Sequence, residues 1–259
     1  MSPRQACRTL WDDEGGFTLL ELLVSMISLT VLLMAAFAFL QFTTEDVSHI
    51  TARVGVDQNG RVAMQRIISE LHSSCVAPNT VPIQAGSNEK ELIFITGTGE
   101  KPAIEPVEKH ELIFTEPSGT TEGTLVEKAY KSTGGTEGSY TWASTATTTK
   151  LLTGVEKTKY GAEQTPMFRY YRYYHAGDTI PAGDSSLPYG ELYPTALTSV
   201  SSTEAENIVK ATVSFTVAPE GKEAVSFNHD RPVALEDSAV FRLAPASETA
   251  TNLPCSPKT

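Results

Sequence analysis

Residues 15–42 read GGFTLLELLVSMISLTVLLMAAFAFLQF. From position 17 to position 42 this stretch holds 26 residues and a single charge, Glu21, and from 22 to 40 it holds none. About 20 apolar residues cross a bilayer as a helix rising 1.5 Å per residue. A helix on the core of a globular domain keeps one polar face, and this segment has none. It therefore reads as a membrane-inserted or secretory segment. Arg4 and Arg8 precede it, and the next basic residue is Arg53. That bias predicts a cytoplasmic N-terminus with the rest of the chain outside.

Other readings of the block remain open on its residues alone. Ala36-Phe37-Ala38 fits the small-x-small pattern of a secretory cleavage site, with a cut before Phe39, although the apolar run ahead of it is longer than a usual signal. Residues 17–40 could equally serve as a plain single-pass anchor. Neither reading explains a carboxylate one turn inside the apolar segment, beyond its snorkelling to the headgroups.

The heptapeptide Gly15-Gly16-Phe17-Thr18-Leu19-Leu20-Glu21 resembles the class III leader of type IV pilins and type II secretion pseudopilins. The resemblance implies that a prepilin peptidase cuts after Gly16 and N-methylates Phe17. It also implies that Glu21, the fifth mature residue, meets a neighbour's N-terminus during filament assembly. The chemistry is compatible. Positions 17 and 21 share a helix face, and a carboxylate in lipid costs several kcal/mol unless it is paired. Asp12-Asp13-Glu14 stand where such leaders usually carry Lys or Arg, and residues 17–42 lack the Pro or Gly common in major pilins. The resemblance thus points to a minor pilin or a J-type minor pseudopilin.

The implied fold is α+β and pilin-like, a long N-terminal transmembrane helix packed on an antiparallel β-sheet head. Its parts are a leader (1–16), a membrane or filament-core half-helix (17–42), an amphipathic half-helix (43–76) and an extracytoplasmic β-rich head (77–259). The implied partners are the prepilin peptidase, other major and minor pilins or pseudopilins, and the inner-membrane assembly platform. No cofactor and no catalysis are implied.

Beyond the apolar block, Val47, Ile50 and Val54 recur at helical spacing, as do Met64, Ile67, Ile68, Leu71 and Cys75. Asn59-Gly60 between them is expected to kink or loosen the helix, and Pro78 to end it near position 74. Arg61, Arg66 and Glu70 read as a solvated face. The segment from 59 to 75 resembles the same region of J-type pseudopilins. From position 81 the pattern is β. Candidate strands are 91–96, 111–115, 124–130, 139–142, 167–174, 208–217, 224–227 and 238–243. The tetrapeptide ELIF occurs at 91–94 and 111–114, as two similar strands of one sheet would require. The Thr- and Gly-rich stretch 118–158 is expected to be a long loop or loosely ordered insertion.

Cys7 falls in the leader, which leaves Cys75 and Cys255 as an even pair. In an exported chain that suggests a disulfide, with two free thiols as the alternative. Residues 168–175, FRYYRYYH, alternate Phe168, Tyr170, Arg172 and Tyr174 with Arg169, Tyr171, Tyr173 and His175. Aromatics beside arginines can stack on nucleic-acid bases. A strand with one core face is the simpler reading, because the chain carries a formal net charge of -11. Asp178, Asp184 and Glu191 could offer oxygens to calcium, but their spacing fits no calcium loop, so solvated loop carboxylates are expected. The five histidines form no ligand spacing, and there is no nucleophile elbow, phosphate loop or dinucleotide fingerprint.

Overall fold

The structure is a computed structural model. It describes residues 18–74, 80–97, 107–118, 123–136, 139–160, 163–174, 178, 191–218 and 233–241. The chain divides into two compact units, residues 1–51 and 52–259.

One helix, α1 (Leu19–His72), passes through both units. Thr18 caps it: the backbone N–H of Glu21 donates to Thr18 Oγ1 at 3.3 Å. Thr18 and Glu21 have the spacing of a capping box. A glutamate in the first turn also suits the positive end of the helix dipole. Within unit 1 every side chain from Leu19 to Phe42 is exposed. The few hydroxyls there turn back on the helix. Ser25 donates to the Leu22 carbonyl and Ser28 to that of Val24, at 2.9 and 2.8 Å. Polar groups satisfied in this way can enter lipid at low cost. The apolar start of α1 is long and apolar enough to cross a membrane, and none of it is buried.

In unit 2 the remainder of α1 turns Ala63, Met64, Ile67 and Leu71 into the core. Val47, Ile50 and Val54 are instead exposed, so the periodicity before position 56 marks no core face. The helix runs unbroken through Asn59-Gly60 and ends at His72. Gly60 neither kinks nor loosens it. A Cβ there would lie 2.7 Å from Leu235 Cδ1 and 3.2 Å from Val217 Cγ2, so the missing side chain lets helix and sheet approach.

Every strand pairing among the described residues is antiparallel. The first sheet runs β1 (Glu91–Gly97), β2 (Val107–Thr115), β3 (Thr124–Thr136), β4 (Ser139–Trp142), with β5 (Thr147–Thr153) also on β3. The two ELIF copies pair directly: Leu92 faces Leu112 and Ile93 faces Glu111. Their Leu and Phe side chains are buried.

Stretch 118–158 is mostly strand, which overturns the loop expectation. Its threonines are β-branched and suit a pleated surface. The chain leaves the first sheet at Gly154, where φ is +68°, and enters the second as β6 (Val155–Glu156). Two short strands, β7 (Lys159–Tyr160) and β8 (Glu163–Gln164), pair with each other. In the second sheet β10 (Ile208–Val217) pairs on one side with β11 (Val233–Val240). Its other edge takes β9 (Phe168–Arg172) and β6. The one-turn helix α2 (Ser202–Ala205) leads into β10 behind a capping box from Ser201 and Glu204. Both sheets and the second part of α1 share one core, in which Phe94, Phe168, Tyr170 and Phe215 are among the largest fully buried side chains. The layout is α+β.

Candidate functional site

The processing residues Gly15, Gly16 and Phe17 lie outside the described residues, as do Cys75, Cys255 and Asp184 and the candidate strand at 224–227. Glu21 is described and exposed, in the first turn of α1 and within the capping arrangement above.

The residues expected on a solvated face are where the structure departs most from the sequence. Arg61 is indeed exposed and pairs with Asp57 one turn back. Arg66 and Glu70 are drawn into a cluster. On α1, Arg66 Nε donates to Glu70 Oε1 at 2.9 Å, while Arg66 Nη2 reaches Glu127 Oε2 on β3 at 2.6 Å. Glu127 is 3% exposed. Its other oxygen meets His110 Nδ1 on β2 at 2.7 Å, and His110 Nε2 meets Thr96 Oγ1 on β1 at 3.0 Å. Phe94 stacks on the imidazole, with ring centroids 5.2 Å apart. A neutral ring with its proton on Nδ1 satisfies both contacts: it donates to Glu127 and accepts from the Thr96 hydroxyl.

Glu70 Oε2 is buried and has no hydrogen-bond donor. Carboxylate oxygens of Glu70 and Glu127 and a ring nitrogen of His110 lie within 4.8 Å of one another. Burial, reinforced by the neighbouring Glu127 charge, pushes the Glu70 carboxyl above its ordinary value against the hydrogen bond from Arg66. Burial also opposes ionisation of Glu127, but the His110 hydrogen bond and the Arg66 charge outweigh it and hold that carboxyl below the ordinary range. Two carboxyls whose environments separate them in this way divide a proton unequally. The donor set resembles a metal site in residue type. Arg66 already places one cation within it, however, and both Glu127 oxygens are engaged, so we read it as an ion-pair network.

The strand 168–172 has one core face: Phe168 and Tyr170 are fully buried. The Tyr170 hydroxyl donates to the carbonyls of Asn88 and Glu91, at 3.0 and 3.1 Å. On the other face Arg169 Nη2 lies 2.9 Å from Glu236 Oε1, and Lys210 sits over Tyr171. The stacking face is thus engaged within the chain. Asp178 is not a solvated loop carboxylate, because Arg172 grips it with both terminal nitrogens at 2.6 and 2.7 Å. Arg172 in turn lies over the Tyr193 ring at 4.7 Å. Glu191 is exposed.

Sequence reasoning missed His110 and Glu127 altogether. The available signal was a charged residue within an apolar strand pattern. Val126 and Lys128 flank Glu127, yet its side chain points into the protein. Compared with known protein families, curated proteins and solved structures, the chain gives no match.

Proposed function

We propose that the chain is a minor pilin or minor pseudopilin, a non-catalytic subunit of a type IV pilus or type II secretion filament. The observation that carries this reading is the helix α1. Its first 24 residues are all exposed and carry a single charge, while its second part is built into the β-rich unit. An anchor needs only the first property. A subunit that enters a filament through its helix also needs a head fixed on the same helix, and the GGFTLLE sequence at its start supplies a prepilin processing signal.

In this reading prepilin peptidase cuts between Gly16 and Phe17 and methylates Phe17. The head then lies outside the cytoplasm, and Glu21 pairs with the N-terminus of a neighbouring pilin or pseudopilin on the inner-membrane assembly platform. Cys75 and Cys255 form a disulfide after export. A pilin-like head with no cofactor completes the proposal. The alternative is a membrane-anchored or secreted binding domain that uses residues 17–40 only as anchor or signal. Its support is that apolar exposure is equally what lipid alone requires.

Mass analysis of the mature N-terminus decides between them. N-methyl-Phe17 supports the filament reading. A chain starting at Phe39 is a secreted domain, and an intact Met1 is an unprocessed anchor; either result overturns it.

A further inference from the structure

The ionic cluster between α1 and the first sheet holds more negative charge than it can neutralise. The groups facing it are Arg66 and Glu70 from α1, the Thr96 hydroxyl from β1, His110 and Glu108 from β2, and Glu127 from β3. Glu108 Oε2 lies 3.8 Å from His110 Nε2. Even counting the imidazole as a cation, two positive groups face three carboxylates. Arg66 bonds Glu70 and Glu127 at once, so these two carboxylates cannot separate without giving up one of its contacts. Glu70 Oε2, buried and without a donor, is an acceptor beside other acceptors. A hydrogen on Glu70 would reduce the excess charge by one and give that buried carboxyl something to donate.

We propose that Arg66, Glu70, His110 and Glu127 form a proton-operated clasp that seats the end of α1 on the first sheet, closed when Glu70 is protonated and loosened when it is ionised. The bound species is a single proton. It arrives from solvent through Glu70, the more exposed of the two carboxyls, at 22% against 3% for Glu127. No bond other than Oε–H forms or breaks. The upward shift of Glu70 agrees with this direction. A carboxyl that binds its proton more tightly folded than unfolded adds stability at low pH. That stability fades as pH rises from the ordinary carboxylate range through the folded value. The clasp therefore ties the grip of the helix on the head to the acidity of the surrounding compartment. It does so without reference to what the filament carries, and it holds for an anchored binding domain as well.

The test uses the full chain in detergent micelles. Thermal unfolding is followed by circular dichroism from about pH 8 down to about pH 5 in the wild type, Glu70→Gln and, as a surface control, Glu163→Gln. The wild type and Glu163→Gln should gain roughly 2–4 °C on acidification. Glu70→Gln, fixed in the neutral form, should start from the higher value and stay flat. A Glu70→Gln profile parallel to the wild type overturns the proposal, and so does a flat wild type. An infrared band of a protonated carboxylic acid, followed upward from the ordinary carboxylate range, gives a second readout that does not depend on the variant folding. It should persist in the wild type, and its absence there overturns the clasp.

Discussion

Arg66 Nη2 stands 2.6 Å from Glu127 Oε2, and this contact joins residues 61 positions apart in the chain. Glu127 is almost fully buried, whereas Arg66 is about half exposed. Removing the guanidinium leaves a buried carboxylate with only the imidazole as partner. Arg66→Met should therefore destabilise the head by about 1–3 kcal/mol, the cost of an unsatisfied buried charged acceptor. Arg66→Lys should recover only part of this, because an ammonium cannot bridge Glu70 and Glu127 in the same fork geometry. Chemical denaturation midpoints of the two variants against wild type check the order.

Glu127 contributes to the acid limb of stability. Its carboxyl is held below the ordinary range, so its contribution is complete above the unfolded value and drains away as pH falls toward the folded one. Below the ordinary carboxylate range the wild type should lose stability steadily. Glu127→Gln should start less stable at neutral pH and lose less on further acidification. Unfolding midpoints between about pH 5 and pH 2 read both limbs.

Gly60 is a matter of space. Ala at this position gains up to about 1 kcal/mol of helix propensity but brings a Cβ against the tip of Leu235. The two effects should nearly cancel. Gly60→Leu gains nearly the same propensity but forces a whole side chain against Leu235 and Val217, and should cost about 1–3 kcal/mol through overpacking. Pairing it with Leu235→Ala should return part of the loss, and a double-mutant cycle measures the coupling.

Tyr170 should remain un-ionised where exposed tyrosines titrate, because burial raises its phenol far above the ordinary value. Alkaline difference spectra of the wild type and Tyr170→Phe should show the same phenolate amplitude until the protein unfolds. The substitution should cost about 1 kcal/mol, since it removes the donor shared by the Asn88 and Glu91 carbonyls.

At the entry of α1, Thr18 and Glu21 allow the helix cap to be separated from the assembly role proposed above for Glu21. Thr18→Val removes the cap oxygen but keeps the carboxylate, and Glu21→Gln does the reverse. Both should leave membrane insertion intact. Only Glu21→Gln should reduce incorporation into filaments, measured by shearing and quantifying the subunit. Equal incorporation of the two variants counts against pairing of Glu21 with a neighbour.

The elements whose signals are local were legible in the sequence. The apolar helix follows from an uninterrupted apolar run that contains neither Gly nor Pro. The boundaries of β10 fall where β-branched residues begin and end, and β4 centres on Tyr140, Thr141 and Trp142. The repeated ELIF anticipated one strand pair. What depends on distant partners was not legible. Arg66 and Glu70 have the i,i+4 spacing of a solvated pair, and nothing near them in the chain announces Glu127. The Thr-rich strand β5 has only one buried residue in seven, so it shows little alternation to read. Gly60 looked like a breaker because its purpose is defined by Leu235 and Val217, which the chain reaches much later. The exposure of Val47, Ile50 and Val54 shows the converse: periodicity marks an apolar face and does not say what covers it.

The long sequence separation within the clasp also sets an order of events in time. His110 and Glu127 sit on neighbouring strands 17 residues apart, so their contact closes with the β2–β3 pairing. Arg66 must wait for a much longer loop to close. Until then two acidic side chains and a histidine are gathered without their cation, and water is their partner. The helix contact is therefore expected to form on the late, native side of the folding barrier. Perturbing Arg66 should appear chiefly as faster unfolding, with refolding little changed. The grip of the β-rich unit on its helix is then expected to determine the lifetime of the folded chain more than how quickly it folds.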